Sequence, residues 1–117
     1  MEYVGMKQLK IKCWIEEDGE KFYGPGPHEL LKQIQKEGSL SKAAEKMQLS
    51  YKKAWAMVQR LNQFSEAPFV ILKKGGPHGG GAQLTNDGLL AMEEYDLLLK
   101  QIEVLINKQT TILKVLK

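Results

Sequence analysis

Two serines, Ser39 and Ser50, constrain the fold more than any other feature of this chain. Each stands directly before an apolar pattern of helical spacing, and each can accept a hydrogen bond from the free backbone N–H groups of the turn that follows. Between them Leu40, Ala43, Ala44 and Met47 recur at helical spacing until Gln48 and Leu49 interrupt the pattern, so the first helix is short and the turn into the second is tight. Upstream, Gly24-Pro25-Gly26-Pro27 breaks whatever precedes it. Pro27 suits the first position of another helix, with Glu29 in its first turn, Leu30, Leu31 and Ile34 on one face, and Gly38 placed to end it in a left-handed conformation. Two short helices joined by a tight turn over 39–64 are the ingredients of a helix-turn-helix.

The helix from Tyr51 to about Phe64 has two faces. At about 100° per residue, Ala54, Met57, Val58 and Leu61 fall together, and Lys52, Ala56, Gln59, Arg60 and Gln63 fall nearly opposite. The second set can meet DNA: Lys and Arg reach phosphates or guanine edges, Gln pairs with adenine, and Ala56 leaves room for a thymine methyl. A solvated helix face is the competing reading, and charge bears on the choice. Residues 1–40 carry six lysines against seven acids, 41–84 seven basic residues against two acids, and 85–117 four against five, so the net charge of +3 is concentrated in the middle segment. Trp14 and Trp55 are expected to pack in the core, although Trp55 falls on the boundary between the two faces of its helix, where it could touch the DNA backbone.

Residues 9–15 alternate Leu9, Ile11, Cys13 and Ile15 with polar positions, and Asp18-Gly19 offers a two-residue turn, so the segment 9–24 is expected to be a β-hairpin. A second hairpin is expected over 69–84, where Phe69-Val70-Ile71-Leu72 and Ala82-Gln83-Leu84 flank the glycine-rich stretch 75–81. Placed after the candidate recognition helix, it forms the wing of a winged helix, with Lys73 and Lys74 set to hold backbone phosphate. A nucleotide-binding loop would need a Lys-Ser/Thr pair and a following helix, and Gly81-Ala82-Gln83 supplies neither.

From Thr85, a good N-cap, the pattern is helical over 86–116 without proline. Tyr95, Leu98, Ile102, Leu105, Gln109 and Ile112 alternate spacings of four and three, and Leu99 and Ile106 widen the stripe. A helix of this length outruns one small domain, so a homodimer seam is expected along it, with Gln109 fixing register. Folding back on its own domain, or pairing with a separate effector-binding protein, are the other ways to cover it.

A chain of 117 residues, 43% hydrophobic and 26% charged, makes one ordinary domain, which is read as spanning 1–117. Its single Cys13 closes no internal disulfide, the first residues do not form a signal peptide, and no apolar run reaches a membrane span, so a cytoplasmic protein is expected. His28, His78 and Cys13 are far apart and without ligand spacing, so neither a metal nor a cofactor is expected. The acids Glu16-Glu17-Asp18 are placed on a hairpin tip and Glu93, Glu94 and Asp96 on an exposed helix face, positions unsuited to catalysis. No enzyme is expected.

The run Gly38-Ser39-Leu40-Ser41-Lys42-Ala43-Ala44, then Leu49-Ser50-Tyr51-Lys52-Lys53-Ala54-Trp55 and Leu61-Asn62-Gln63, resembles the DNA-binding domain of ModE-type molybdate-responsive transcriptional regulators. So do Gly75-Gly76-Pro77-His78-Gly79-Gly80-Gly81-Ala82 and Leu84-Thr85-Asn86-Asp87-Gly88, and the likeness spans about residues 9–106. It implies a winged helix-turn-helix that dimerises through its last helix, with Ser50, Tyr51, Lys52, Lys53, Gly79 and Gly80 facing DNA. In that family molybdate is bound by a separate C-terminal module, which a chain ending at Lys117 is expected not to carry. The class expected is thus α+β, mostly α. The expected role is that of a homodimeric regulator on an inverted-repeat operator in double-stranded DNA, using Ser50, Tyr51, Lys52, Lys53, Ala56, Gln59, Arg60, Lys73, Lys74, Gly79 and Gly80.

Overall fold

A computed structural model describes residues 6–74 and 80–117. Strands β1 (Ile15–Glu17) and β2 (Glu20–Tyr23) are followed by helices α1 (Pro25–Glu37), α2 (Leu40–Lys46) and α3 (Tyr51–Phe64). Then come strands β3 (Val70–Leu72) and β4 (Ala82–Leu84) and helices α4 (Asn86–Lys108) and α5 (Thr111–Lys114). The three expected caps form: Ser39 accepts from Lys42 N–H at 3.3 Å, Ser50 from Lys53 N–H at 3.0 Å, and Thr85 from Gly88 N–H at 3.1 Å. Gly38 ends α1 at φ 68°, its N–H bonded to Ile34 C=O at 2.8 Å, a conformation that costs a residue with a Cβ. Gln48 takes φ 57° in the α2–α3 turn, and Leu49 N–H returns to Ala44 C=O at 2.9 Å, so the chain reverses within four residues. This is a winged helix-turn-helix.

The core gathers the apolar faces of α1, α2 and α3 under the wing: Leu30, Leu31, Ile34, Ala43, Ala54, Val58 and Leu61 are essentially sealed from solvent. Burying side chains of the size of Leu and Ile contributes about 1.5–3 kcal/mol each against an extended reference chain. The small Ala43, Ala44 and Ala54 let the helices come close. Strand β4 closes over this core, with Ala82 N–H bonded to Gly38 C=O at 3.0 Å.

Three expectations about extent are corrected. The N-terminal hairpin is shorter than 9–24: only 15–17 and 20–23 pair, with a register shift between Ile15 and Glu16, and residues 9–14 gain no ladder partner. The turn itself is as read, with Asp18 and Gly19 both at positive φ, 50° and 83°. Helix α1 starts at Pro25, not Pro27, because the restricted φ of proline serves anywhere in the first turn. The C-terminal helix stops at Lys108 and not at 116: Gln109 sits at φ −100°, ψ 51° with its N–H tightened back to Ile106 C=O. The β-branched pair Thr110 and Thr111 is a poor continuation, and a short α5 restarts beyond it.

Helix α4 still extends well beyond the body. Gly88, Met92 and Tyr95 are its buried residues, and from Lys100 onward no side chain is buried. The Cα radius of gyration is 18.1 Å with extents of 60 × 36 × 24 Å, against about 13–14 Å for a compact chain of this length.

The base of α4 is tied down by a polar chain. His28, 4% exposed, lies between the Tyr23 hydroxyl, 2.8 Å from Nδ1, and an Asp96 carboxylate oxygen, 2.7 Å from Nε2. Lys32 Nζ reaches the same oxygen at 3.1 Å, and the Tyr95 hydroxyl donates to Cys13 C=O at 2.7 Å. With Tyr23 donating to Nδ1 and Nε2–H donating to Asp96, each of these contacts has a donor and an acceptor. Asp96 is thus half-buried and engaged rather than solvated as expected, because α1 brings two nitrogen donors to it.

Candidate nucleic-acid interface

Helix α3 presents three strips, set by the helical period of about 100° per residue. Its outermost strip is Lys52, Ala56, Gln59 and Gln63, all exposed. One flank, with Tyr51, Trp55 and Asn62, turns toward the wing. Asn62 carries that contact: its carboxamide N–H donates to Val70 C=O at 2.9 Å while its oxygen accepts from the N–H groups of Phe69 and Val70 at 2.8 and 3.2 Å. The other flank turns toward the N-terminal hairpin, where the Phe64 ring stacks on Phe22 at 4.9 Å and Arg60 Nε donates to Lys21 C=O at 2.9 Å.

The wing strands pair Val70 with Leu84, Ile71 with Gln83 and Leu72 with Ala82. Beyond Leu72 the exposed Lys73 and Lys74 face Gly80 and Gly81, and Lys73 N–H bonds to Gly81 C=O at 2.8 Å. An open groove results between α3 and the wing. Tyr51 and Trp55 line one side, Leu72, Lys73, Lys74, Gly80 and Gly81 the other, and Ser39 and Ser41 at the start of α2 complete the lining. Its cationic side chains, hydroxyls and exposed aromatic rings are the groups that sugar-phosphate strands engage.

Of the residues read from the sequence as facing DNA, Tyr51, Lys73, Lys74 and Gly80 share this groove. Tyr51, Lys52, Lys53, Ala56 and Gln59 are exposed on α3, Lys73, Lys74 and Gly80 lie at the wing, and the Ser50 side chain is engaged as a cap. Gly79 lies outside the described residues. Arg60 is the exception: besides its bond to Lys21, its guanidinium lies 3.5 Å from Glu20, so it braces the hairpin against α3 rather than standing free as a reader. The two tryptophans expected in the core are 39% and 45% exposed at positions 14 and 55. Trp14 is held instead by a bond from its N–H to Glu16 at 2.6 Å and by Lys21 over its ring at 3.9 Å. The Asn62 bridge was not read from the sequence, whereas the boundary position expected for Trp55 on its helix agrees with its place in the groove lining.

On α4, Leu98, Ile102, Leu105 and Ile106 run along the projecting length, and Leu97 and Val104 add exposed apolar area. Tyr95 is corrected: at 5% exposure it packs against Tyr23 and His28 within its own chain and is taken out of the seam. Leu99 is partly buried against the same core, Gln109 lies at the helix end rather than inside a seam, and Ile112 belongs to α5. Among the described residues no group of three His, Cys, Asp or Glu side chains is placed to hold a metal, and no helix is long and apolar enough to cross a membrane.

Comparison with known proteins adds to this geometry. Residues 28–89, from α1 through the wing to the start of α4, match the bacterial regulatory helix-turn-helix proteins of the lysR family. The transcriptional regulator ModE of Haemophilus influenzae is 37% identical over 93 residues, 80% of this chain and 36% of its own. ModE of Yersinia pestis is 44% identical over 91 residues, and the DNA-binding transcriptional dual regulator ModE of Escherichia coli K12 is 38% identical over 91, in both cases 78% of this chain and 35% of the relative. The chain thus spans about a third of the length of these relatives. The match covers the whole helix-turn-helix and the described wing strands, and the chain belongs to the lysR family of bacterial regulatory helix-turn-helix proteins.

Proposed function

We propose that this chain is a transcriptional regulator that binds double-stranded DNA in a sequence-specific manner as a homodimer on an inverted repeat. The observation that carries the reading is the exposure of the α3 strip Lys52, Ala56, Gln59 and Gln63 on the same helix whose Tyr51 and Trp55 share a groove with the wing lysines Lys73 and Lys74. A helix offering donors and one small residue fits a major groove, and cations on an adjacent hairpin fit the phosphates that flank it. The ModE names of the relatives support the same role. For the dimer, support comes from α4, which carries Leu97, Leu98, Val104 and Leu105 at about half exposure on a helix leaving the body. A two-fold partner would cover them and set two recognition helices on an inverted repeat.

Selection of bound duplexes from a random DNA library at near-physiological salt tests this. The expected outcome is enrichment of an inverted repeat whose half-site spacing matches the distance between two α3 helices, with a dimeric mass in solution. An unenriched pool would overturn the reading.

A further inference from the structure

Trp55 is large, apolar and 45% exposed, yet it lies between the readout strip of α3 and the wing rather than on solvated surface. The contrast with Trp14 is informative, since that indole is engaged by both Glu16 and Lys21. Among the described residues the Trp55 ring has neither a hydrogen-bond acceptor for its N–H nor a cation over its face. One turn earlier Tyr51, 54% exposed, extends the same aromatic surface, and across the groove Lys73 and Lys74 supply two cations.

A duplex seated with α3 in its major groove and the wing at the neighbouring minor groove must pass one strand of backbone between the two, through this groove. That strand has an apolar part, the deoxyribose, and an anionic part, the phosphate. We infer that the groove is a backbone-binding site in which the Trp55 ring packs on deoxyribose and its N–H donates to a phosphate oxygen. Tyr51 lies beside it, and Lys73 and Lys74 neutralise charge from the wing. The inference rests on the DNA-binding reading and deepens it: Trp55 is a positioning residue that sets how α3 is aimed, and it reads no base. A sugar-phosphate strand is favoured over a protein segment as occupant because both lysines stand on one wall and, among the described residues, no carboxylate lines the groove.

The test uses the full chain with Trp14→Phe, leaving Trp55 as the sole tryptophan, together with Trp55→Phe and Trp55→Ala. DNA should quench Trp55 emission and protect it from acrylamide. Trp55→Ala should weaken operator and unrelated duplexes alike by about tenfold, the scale expected when a hydrogen bond and the apolar packing of one ring are removed together. Trp55→Phe should fall between, since the ring is kept and the N–H removed. A Trp55 as accessible in the saturated complex as in free protein would overturn the inference while leaving DNA binding in place. So would a Trp55→Ala variant, folded by circular dichroism, that lost operator affinity but kept its affinity for unrelated duplexes. Failure of the parent protein to bind any duplex would instead overturn the functional reading itself.

Discussion

Asn62 holds the peptide of Val70 from both sides, donating to its carbonyl and accepting from its N–H, so that one carboxamide joins the recognition helix to the first strand of the wing. The carboxamide offers a donor and an acceptor in one planar group, so neither Asp nor Leu can replace it without leaving a backbone group unpaired. The position of Lys73 and Lys74 relative to α3 therefore depends on this side chain.

Asn62→Ala should cost about 2–3 kcal/mol of stability, since three hydrogen bonds to part-buried backbone are removed together. It should also uncouple the wing: the loss of DNA affinity on Lys74→Ala should shrink in an Asn62→Ala background. A double-mutant cycle on duplex binding checks this, and full additivity would show that the wing holds its place without Asn62.

Gly88 makes a second rigid joint at the start of α4. A Cβ there would collide with the backbone of Phe69, coming 3.1 and 3.2 Å from its carbonyl carbon and Cα and closer still to its oxygen. The same oxygen accepts from Thr85 N–H at 3.0 Å, so the strand cannot simply retreat. Gly88→Ala should destabilise by about 2–3 kcal/mol in urea titration although alanine is the better helix former, reversing the ordinary propensity.

Acid should loosen the base of α4 through Asp96. Desolvation alone would raise its carboxyl, but the hydrogen bonds and charges of His28 and Lys32 outweigh it and hold the group below the usual carboxylate range. A depressed folded-state value gives stability that is present above the ordinary carboxylate range and lost as pH falls through the lowered one. Because Asp96 is partly exposed, solvent screens the effect. Asp96→Asn should lower the thermal midpoint at neutral pH and remove part of the acid dependence, measured by melting between pH 7 and 3.

Alkali acts on the same cluster with the opposite sign. Burial pushes the Tyr23 hydroxyl well above its usual range and Tyr95 up to about 12. The unfolded chain then releases these protons first, so stability falls as pH rises from about 10 upward. Ultraviolet difference spectra should show Tyr23 and Tyr95 ionising only as the fold opens, and Tyr23→Phe should remove part of the absorbance change that accompanies unfolding.

What could be read along the chain was what neighbouring residues decide. The caps at Ser39, Ser50 and Thr85, the left-handed Gly38 and the turn at Asp18-Gly19 each depend on a few adjacent positions, and all form. Periodicity sorted the faces of α3 correctly because Ala54, Val58 and Leu61 repeat at its period. It could not tell Tyr95 from Leu98, since a stripe shows that a face is apolar and not what covers it. Helical spacing put Trp55 on the boundary of its helix faces, but the wing that completes its groove and the α1 donors that engage Asp96 come from elements distant in sequence, which no local spacing encodes. The helix was carried past Lys108 because the apolar repeat continues, while the resistance of Thr110 and Thr111 to helix is a backbone matter that hydrophobicity does not register.

Arg60 decides between two roles. Its chemistry and position on α3 suit a base reader, but its Nε is committed to Lys21 C=O and its guanidinium lies near Glu20, so leaving the hairpin would cost both interactions. Arg60→Ala should therefore lower stability by about 0.5–1.5 kcal/mol, the range for one hydrogen bond and a half-exposed ion pair, and should leave the ratio of operator to unrelated-duplex affinity unchanged. Lys52→Ala and Gln59→Ala should do the reverse, keeping stability within about 0.5 kcal/mol and lowering the preference by about 1–3 kcal/mol where each reads a base. If Arg60→Ala narrows the preference at one base pair as Gln59→Ala does, the guanidinium leaves the hairpin when DNA arrives, and the bond to Lys21 is a resting position of the free protein.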